Sequence, residues 1–309
     1  MNLKKNNIIE SNILYGQKKY FNTLIKLYNE NKFPKVLLFS GKKGIGKSTL
    51  LIHFLNYVYD KNNYDFELNK INKNSVFYNL FQKNLFENII YLNGENSIKI
   101  ESIRNLRIKI SKSTIDEKPR FIILDDIDLY NKNSLNALLK ILEEPTKNNF
   151  FVLINNQSLP LLETIRSRSI EMKFFLKNEV RIKIIDSLIN EFHIDSNIDY
   201  INNTISPGNF ILFNEICYAN KITIDKNFIK NIEIILKLYK KNRNNNYINL
   251  IYYILDLMFY NVLKENKNIS NLSEVKSLTI NDINNFVNYN LNQNSIINAI
   301  SERLSYERW

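Results

Sequence analysis

The 309-residue chain has few of the residues that punctuate, crosslink and ligate: one cysteine, one tryptophan, two histidines, five prolines and six glycines. The lone Cys217 excludes an internal disulfide framework and any multi-thiolate zinc site, and it suits a reducing cytoplasm. Its expected state is a buried, inert thiol. His53 and His193 stand apart in the sequence, and both read as structural histidines rather than ligands. Also missing is an uninterrupted apolar run of roughly eighteen residues, the length that spans a bilayer. The nearest approach, Ile248 to Leu263, is broken by Asn249, Asp256 and Asn261 and reads as a buried helix. Met1 to Asn7 carries charge but precedes no apolar core of signal-peptide length. These absences predict a soluble, intracellular, cytoplasmic protein with no membrane partner.

What is abundant is Asn, Ile, Lys and Tyr, a bias that reads as compositional drift rather than disorder. Hydrophobic content of 44 % and this length suffice for a sizeable core and for two or three domains. The run Lys240 to Asn246 is expected to be a solvated loop between helices. A formal charge of +11 suits contact with polyanions, and it equally suits a lysine-rich solvated surface.

The scarce glycines are clustered. Three of the six, Gly41, Gly44 and Gly46, lie in one stretch that runs into Lys47 and Ser48. Gly41 to Ser48 fits the phosphate-loop pattern G-x-x-x-x-G-K-[ST] at every fixed position. Lys35 to Ser40 reads as a strand entering the loop, and Ser48 to Tyr59 continues with helical spacing of Leu50, Leu51, Phe54, Leu55 and Val58. Further strands are expected at Asn88 to Leu92, Arg120 to Leu124 and Phe150 to Ile154. Helices are expected between them at Ile100 to Ser111 and Asn133 to Glu144, the second stopped by Pro145. This alternation predicts an α/β fold, a parallel sheet wrapped on both faces. After about residue 175 the strand signals fade, and helices follow at Glu179 to Phe192, Pro207 to Tyr218, Asn227 to Lys240, Tyr247 to Lys264 and within Ile280 to Leu304. The expected domains are an α/β nucleotide domain over 1–174, a small helical lid over 175–222 and a helical C-terminal domain over 223–309.

In such a loop, backbone N–H groups encircle phosphates at a helix N-terminus, and Gly41, Gly44, Ile45, Gly46, Lys47, Ser48 and Thr49 form the expected cradle. Lys47 would reach the β and γ phosphates of ATP, and the Ser48 hydroxyl would ligate Mg²⁺. The strand Phe121 to Leu124 ends in Asp125 and Asp126, which places carboxylates at the sheet's C-terminal edge. Asp125 is the expected Mg²⁺ partner. Asp126 stands where many ATPases have the glutamate that orients the attacking water; being one methylene shorter, its carboxylate sits back by about 1.5 Å, enough to spoil that geometry. A solvated turn is the other reading of Asp126 and Asp128. Arg166 and Arg168 stand out because nine arginines face 33 lysines in the chain. A planar guanidinium suits a γ-phosphate across a subunit boundary, and surface ion pairing is the alternative.

Leu138 to Pro145, read as LLKILEEP after the Asp-Asp strand, resembles the clamp-loader branch of the AAA+ ATPases. Ser167-Arg168-Ser169 resembles that branch's Ser-Arg-Cys signature with serine in the cysteine's place, and Asn156 falls at its first sensor position. Ile100 to Arg104 resembles the helix preceding the metal-binding strand in bacterial members. The likeness covers Gly16 to about Phe174. The gamma or tau motor subunits of DNA polymerase III carry four zinc cysteines and an arginine in a Gly-Ser-x-Arg turn. Here Cys217 is alone and the turn reads Ile205-Ser206-Pro207-Gly208, with Gly208 in the arginine's place, so no zinc is implied. That turn and the chain length resemble the delta-prime subunits.

This resemblance implies an AAA+ domain, a helical lid and a C-terminal collar. It implies a hetero-pentamer with gamma or tau motor subunits and delta that loads a sliding clamp onto primed DNA during replication, polymerisation belonging to another subunit of the nucleotidyltransferase holoenzyme. Arg168 would be an arginine finger in trans, an element worth about three to five orders of magnitude in rate. The loop argues for bound Mg·ATP, whereas Asp126 and the arginine-free turn at Gly208 argue for slow or no turnover by the chain alone. A gamma- or tau-type motor, a stand-alone P-loop kinase and a scaffold that binds no nucleotide are the competing readings.

Overall fold

The computed structural model describes residues 11–305 apart from 94–97, 99, 112–117, 147, 197, 225–226 and 265–271; Met1 to Asn7 lies outside the described residues. The chain divides into two compact units, one built from the segment ending at His193 together with Ile205–Asn209, the other from Ile194–Thr204 and the chain from Phe210 onward.

The first unit is organised by five parallel strands: β1 (Val36–Ser40), β4 (Ile89–Asn93), β5 (Arg120–Asp125), β6 (Asn149–Asn155) and β7 (Ile170–Lys173), in the order β4-β5-β6-β1-β7. A two-stranded antiparallel ribbon, β2 (Tyr64–Asp65) and β3 (Lys70–Ile71), lies apart from it. Alternation of side chains along a strand puts successive residues on opposite faces, and here both faces are covered. Leu37, Phe39, Phe121, Ile123, Val152 and Ile154 pack in one core with α1 (Lys18–Asn29), α2 (Lys47–Asp60) and α3 (Val76–Gln82). Their neighbours Val36, Leu38, Ile122, Leu124, Phe151 and Leu153 pack in a second core with α4 (Ile100–Ile110) and α5 (Lys132–Glu143). That two-sided burial explains why the central strands read as continuous apolar runs rather than alternating ones. Each fully buried aliphatic or aromatic side chain contributes about 1.5–3 kcal/mol, and truncating Leu153 to alanine would cost about 2–5 kcal/mol.

Local signals set the element ends. The Asn131 side chain accepts the Ser134 N–H at 2.8 Å and caps α5, and Ser75 caps α3 by accepting the Tyr78 N–H at 3.1 Å. Pro145 follows close behind the end of α5. The short α6 (Glu163–Arg166) and then α7 (Asn178–Phe192) complete this unit.

Helices α8 (Pro207–Asn220), α9 (Phe228–Asn242), α10 (Asn245–Lys264), α11 (Leu272–Tyr289) and α12 (Gln293–Ser305) follow. In the second unit α9 packs on α10 and α12, and α11 on α10 and α12, around Ile235, Leu236, Ile251, Ile254, Ile283 and Ile300. Cys217 is buried and free, its thiol pushed up to about 12 by burial. The expected loop at Lys240 to Asn246 is reduced to a break at Arg243–Asn244: α9 runs to Asn242, α10 starts at Asn245, and Asn246 is buried. A left-handed Arg243, whose N–H donates to Tyr239 O, closes α9 and lets two helices meet with almost no linker. No helix among the described residues is long and apolar enough to cross a membrane.

Candidate nucleotide site

Parallel pairing carries the C-terminal ends of β1, β5 and β6 to one edge of the sheet, where α/β folds place their ligands. The register sets Ser40 beside Asn155 and Leu124 beside Leu153, so the residues that follow, Gly41, Asn156 and Asp125, converge. Gly41 N–H donates to Asn155 O at 3.2 Å, tying the loop's first residue to the end of β6.

The loop itself requires its glycines. Gly44 and Gly46 have φ of +81° and +95°, which side chains disfavour, and α2 begins directly at Lys47. Lys47 is buried, and its Nζ donates to the carbonyls of Gly41 at 2.5 Å and Lys42 at 2.8 Å. Burial lowers the Lys47 pKa to about 8, against the opposing pull of Asp125, Asp126 and Asp128. Ser48 and Thr49 continue the first turn of α2, and the Ile45 carbonyl accepts a hydrogen bond from Gln17 Nε2 at 2.7 Å.

Asp125 and Asp126 lie beside the loop, both buried. Asp125 Oδ1 accepts the Asp126 N–H at 2.9 Å, and Asp125 Oδ2 accepts the Tyr91 hydroxyl. Burial and the neighbouring Asp126 charge raise the Asp125 pKa, while the Tyr91 and Asp126 hydrogen bonds and Lys43 hold it back. Asp126 adopts a left-handed backbone, φ +51°, and Asn156 Nδ2 donates to its Oδ1 at 2.6 Å while Lys43 Nζ stands 3.5 Å from its Oδ2. Asp128 Oδ1 accepts the Asn156 N–H at 3.1 Å, and its Oδ2 accepts those of Ser158 at 2.7 Å and Leu159 at 3.3 Å. The solvated-turn reading of Asp126 and Asp128 is therefore corrected. Both carboxylates are buried and engaged, Asp126 by side chains at the loop and Asp128 as a clasp on the segment after β6.

The Ser206–Asn209 turn lies directly on the loop. Gly208 N–H donates to Gly44 O at 2.8 Å, and a Cβ on Gly208 would lie 2.8 Å from Gly44 Cα. A Cβ on Gly44 would in turn meet Asn209 N at 2.9 Å. Ser206 Oγ is buried with no hydrogen-bond partner. A side chain of any length at Gly208 thus has no room unless loop and turn separate.

A buried cationic amine, two positive-φ glycines at a helix start and flanking carboxylates fit the phosphates of a nucleotide with its divalent cation. Gly41 to Thr49 would hold the phosphates, with Ser48 and Asp125 as candidate Mg²⁺ ligands. Among the described residues no cluster of three or more His, Cys, Asp or Glu forms a metal cage. Tyr91 and Gln17 were not among the residues anticipated from sequence; Gln17 follows Gly16 near the chain's start, and Tyr91 occupies an interior position of β4. His53 is wholly buried on α2 with Nδ1 2.8 Å from the Tyr64 hydroxyl.

Arg168 follows α6. Its guanidinium pairs with Glu143 at the end of α5, whereas Arg166 stands 3.9 Å from Glu171.

Comparison with known proteins places this architecture. A family model described as DNA polymerase III, delta subunit, matches residues 16–178, just over half of the chain. The chain is 25 % identical over 169 residues to DNA polymerase III subunit gamma of Buchnera aphidicola subsp. Acyrthosiphon pisum (strain APS), covering 55 % of this chain and 46 % of that one. It is 26 % identical over 171 residues to subunit delta' of the same organism, covering 52 % and 49 %. The chain thus spans about half the length of these curated relatives. A gamma subunit-related protein from Thermotoga maritima has the same fold, with a TM-score of 0.50 at 14 % identity, over 92 % of this chain and 99 % of that one. The chain belongs to the DNA polymerase III delta-subunit family, within the clamp-loader AAA+ proteins.

Proposed function

We propose that the chain is a delta-prime-type subunit of a DNA polymerase III clamp loader that binds Mg·ATP, turns it over slowly or not at all alone, and lends Arg168 to the nucleotide of a neighbouring motor subunit. The observation that carries this reading is Asp126. Its carboxylate is buried and drawn to Asn156 and Lys43, so the group at the water-orienting position is shorter than glutamate and already committed. Gly208, packed on Gly44, adds that this turn presents no cationic side chain at that position to the loop. The complete phosphate loop supports nucleotide binding rather than an empty scaffold.

In this reading the C-terminal helices serve as collar in a cytoplasmic hetero-pentamer with gamma or tau motor subunits and delta, acting on a sliding clamp and primed DNA. A groove of about 400 Å³ between α4 and α5, lined by Arg104, Arg107, Lys140, Asn133 and Asn136, supplies cations and amides suited to a phosphate backbone.

The test is ATP binding and hydrolysis by the isolated chain and by the complex reconstituted with its own motor subunits. The isolated chain should bind ATP through Lys47, with Lys47→Ala abolishing binding, and show negligible turnover. Arg168→Ala should lower the complex's ATPase while leaving ATP binding to this chain intact. Robust turnover by the isolated chain, lost in Lys47→Ala, would instead identify a gamma- or tau-type motor.

A further inference from the structure

Arg168 is held in an unusually defined way for a surface arginine. The turn that carries it is tied to α6 by Arg168 N–H to Ile165 O at 3.2 Å and by Ser169 Oγ, which donates to Ile165 O at 3.0 Å or to Arg166 O at 3.1 Å. Its Nε and Nη2 both donate to one oxygen, Oε1 of Glu143, at 3.0 and 2.6 Å. Its Nη1 donates to Thr164 O at 3.0 Å, with Ser167 Oγ farther off at 3.5 Å. Arginine has five N–H donors in a rigid planar fork; two of these short bonds hold its Nε/Nη2 edge and the third holds Nη1. Beyond these three short bonds, one N–H on each terminal nitrogen is left for a further acceptor such as a phosphate oxygen.

We propose that Glu143 is the positioning residue for Arg168, orienting the guanidinium so that its terminal N–H pair faces a neighbouring subunit's nucleotide; this rests on the reading of Arg168 as a finger in trans. Glu143 is well placed for the task. It ends α5, a helix anchored in the core by Leu138, Ile141 and Leu142, so its backbone is fixed. The pair is partly open to solvent, with side-chain exposures of 33 % for Arg168 and 49 % for Glu143, so it adds little to folding and a phosphate dianion can approach beside it. What Glu143 supplies is orientation. A free arginine samples many rotamers, and misplacing a catalytic group by about 1 Å can cost about a hundredfold in rate.

The experiment measures steady-state ATPase of the reconstituted complex carrying Glu143→Ala, Glu143→Gln, Arg168→Ala or the double variant, with assembly confirmed by size-exclusion chromatography. Glu143→Ala should lower kcat about three- to thirtyfold with KM for ATP within about twofold, the signature of lost orientation. Glu143→Gln, which keeps an acceptor oxygen, should recover part of that loss. In the Arg168→Ala background, adding Glu143→Ala should change nothing further, because the partner it orients is gone. An unchanged or raised kcat in Glu143→Ala, alongside a defective Arg168→Ala, overturns the positioning role and leaves the finger standing. Equal losses from Glu143→Ala with and without Arg168 also overturn it. An Arg168→Ala complex with full activity overturns the finger itself.

Discussion

The Gly208 amide donates to the Gly44 carbonyl at 2.8 Å, and the two backbones approach so closely that neither position tolerates a Cβ without movement. The Ser206–Asn209 turn and the phosphate loop are in this sense a single packed object. Gly208→Ala should therefore shift the loop or the turn and destabilise this unit by about 1–3 kcal/mol, the usual cost of overpacking. Thermal unfolding followed by calorimetry checks this. An unchanged midpoint would show that the turn yields freely, and would remove the argument that no side chain can stand there.

Burial holds the Lys47 pKa near 8, so the ordinary charge of a loop lysine is partly lost in the nucleotide-free protein above that pH. Phosphate oxygens favour the charged form, so ATP binding should take up a proton near and above pH 8 and weaken as pH rises through that value. The same shift makes the nucleotide-free fold gain stability between about pH 8 and 10.5, where the unfolded chain still holds the proton and the native one does not. Titration calorimetry in two buffers of different ionisation enthalpy detects the uptake. Equal apparent enthalpies at pH 8.5 would contradict it.

Asp128 accepts three backbone N–H groups, from Asn156, Ser158 and Leu159. Asp128→Ala leaves these donors unpaired beside the sheet edge and should cost about 3 kcal/mol, since bonds to a charged acceptor are worth more than neutral ones. Because Asn156 would shift with its backbone, ATP affinity should fall together with stability. A variant with lowered stability and unchanged affinity would separate Asn156 from the nucleotide site.

How much of this was legible in the sequence depends on what each element buries. The central strands β1, β5 and β6 were readable because both their faces are covered, so they are apolar throughout, and α4, α5 and α7 carried clear helical spacing. Strand β7 was not read as one. Ile170-Glu171-Met172-Lys173 lies at the sheet's edge with its ends exposed, so it needs few apolar residues, and only its pairing with β1 marks it as a strand. α1, α3 and the β2–β3 ribbon were likewise unread, their few buried positions, among them Phe21, Leu24, Tyr64, Ile71 and Phe77, being scattered among Lys and Asn. At the site, Gly41 to Ser48 and Asp125 followed from spacing alone. Tyr91, Gln17 and the Glu143–Arg168 pairing did not, because contacts between distant segments leave no periodic trace in one sequence.

The α4–α5 groove yields a test of nucleic-acid contact independent of ATP. Replacing Arg104, Arg107 and Lys140 together by alanine should weaken binding of the assembled complex to primed DNA and reduce the slope of log affinity against log salt by about two to three, one unit per lost phosphate contact. Fluorescence anisotropy across a salt series measures both. An unchanged slope would place DNA on another surface.

The buried His53 makes the fold acid-sensitive in a calculable direction. Its ring is enclosed by Phe21 and Tyr64, Nδ1 meets the Tyr64 hydroxyl, Nε2 has no partner, and burial pushes its pKa from 6.5 down to about 3. Between these values the unfolded chain binds a proton that the native chain does not, so stability falls as pH drops below 6.5 and levels off near 3. At pH 5 the penalty from this residue is about 2 kcal/mol, at about 1.4 kcal/mol per pH unit. His53→Phe keeps the aromatic contacts and removes the titration, at a pH-independent cost from the lost Tyr64 bond. Urea unfolding at pH 7 and pH 5 should show the wild-type chain losing about 2 kcal/mol more than the variant over that interval. Parallel losses in the two proteins would mean that the imidazole is hydrated and titrates normally.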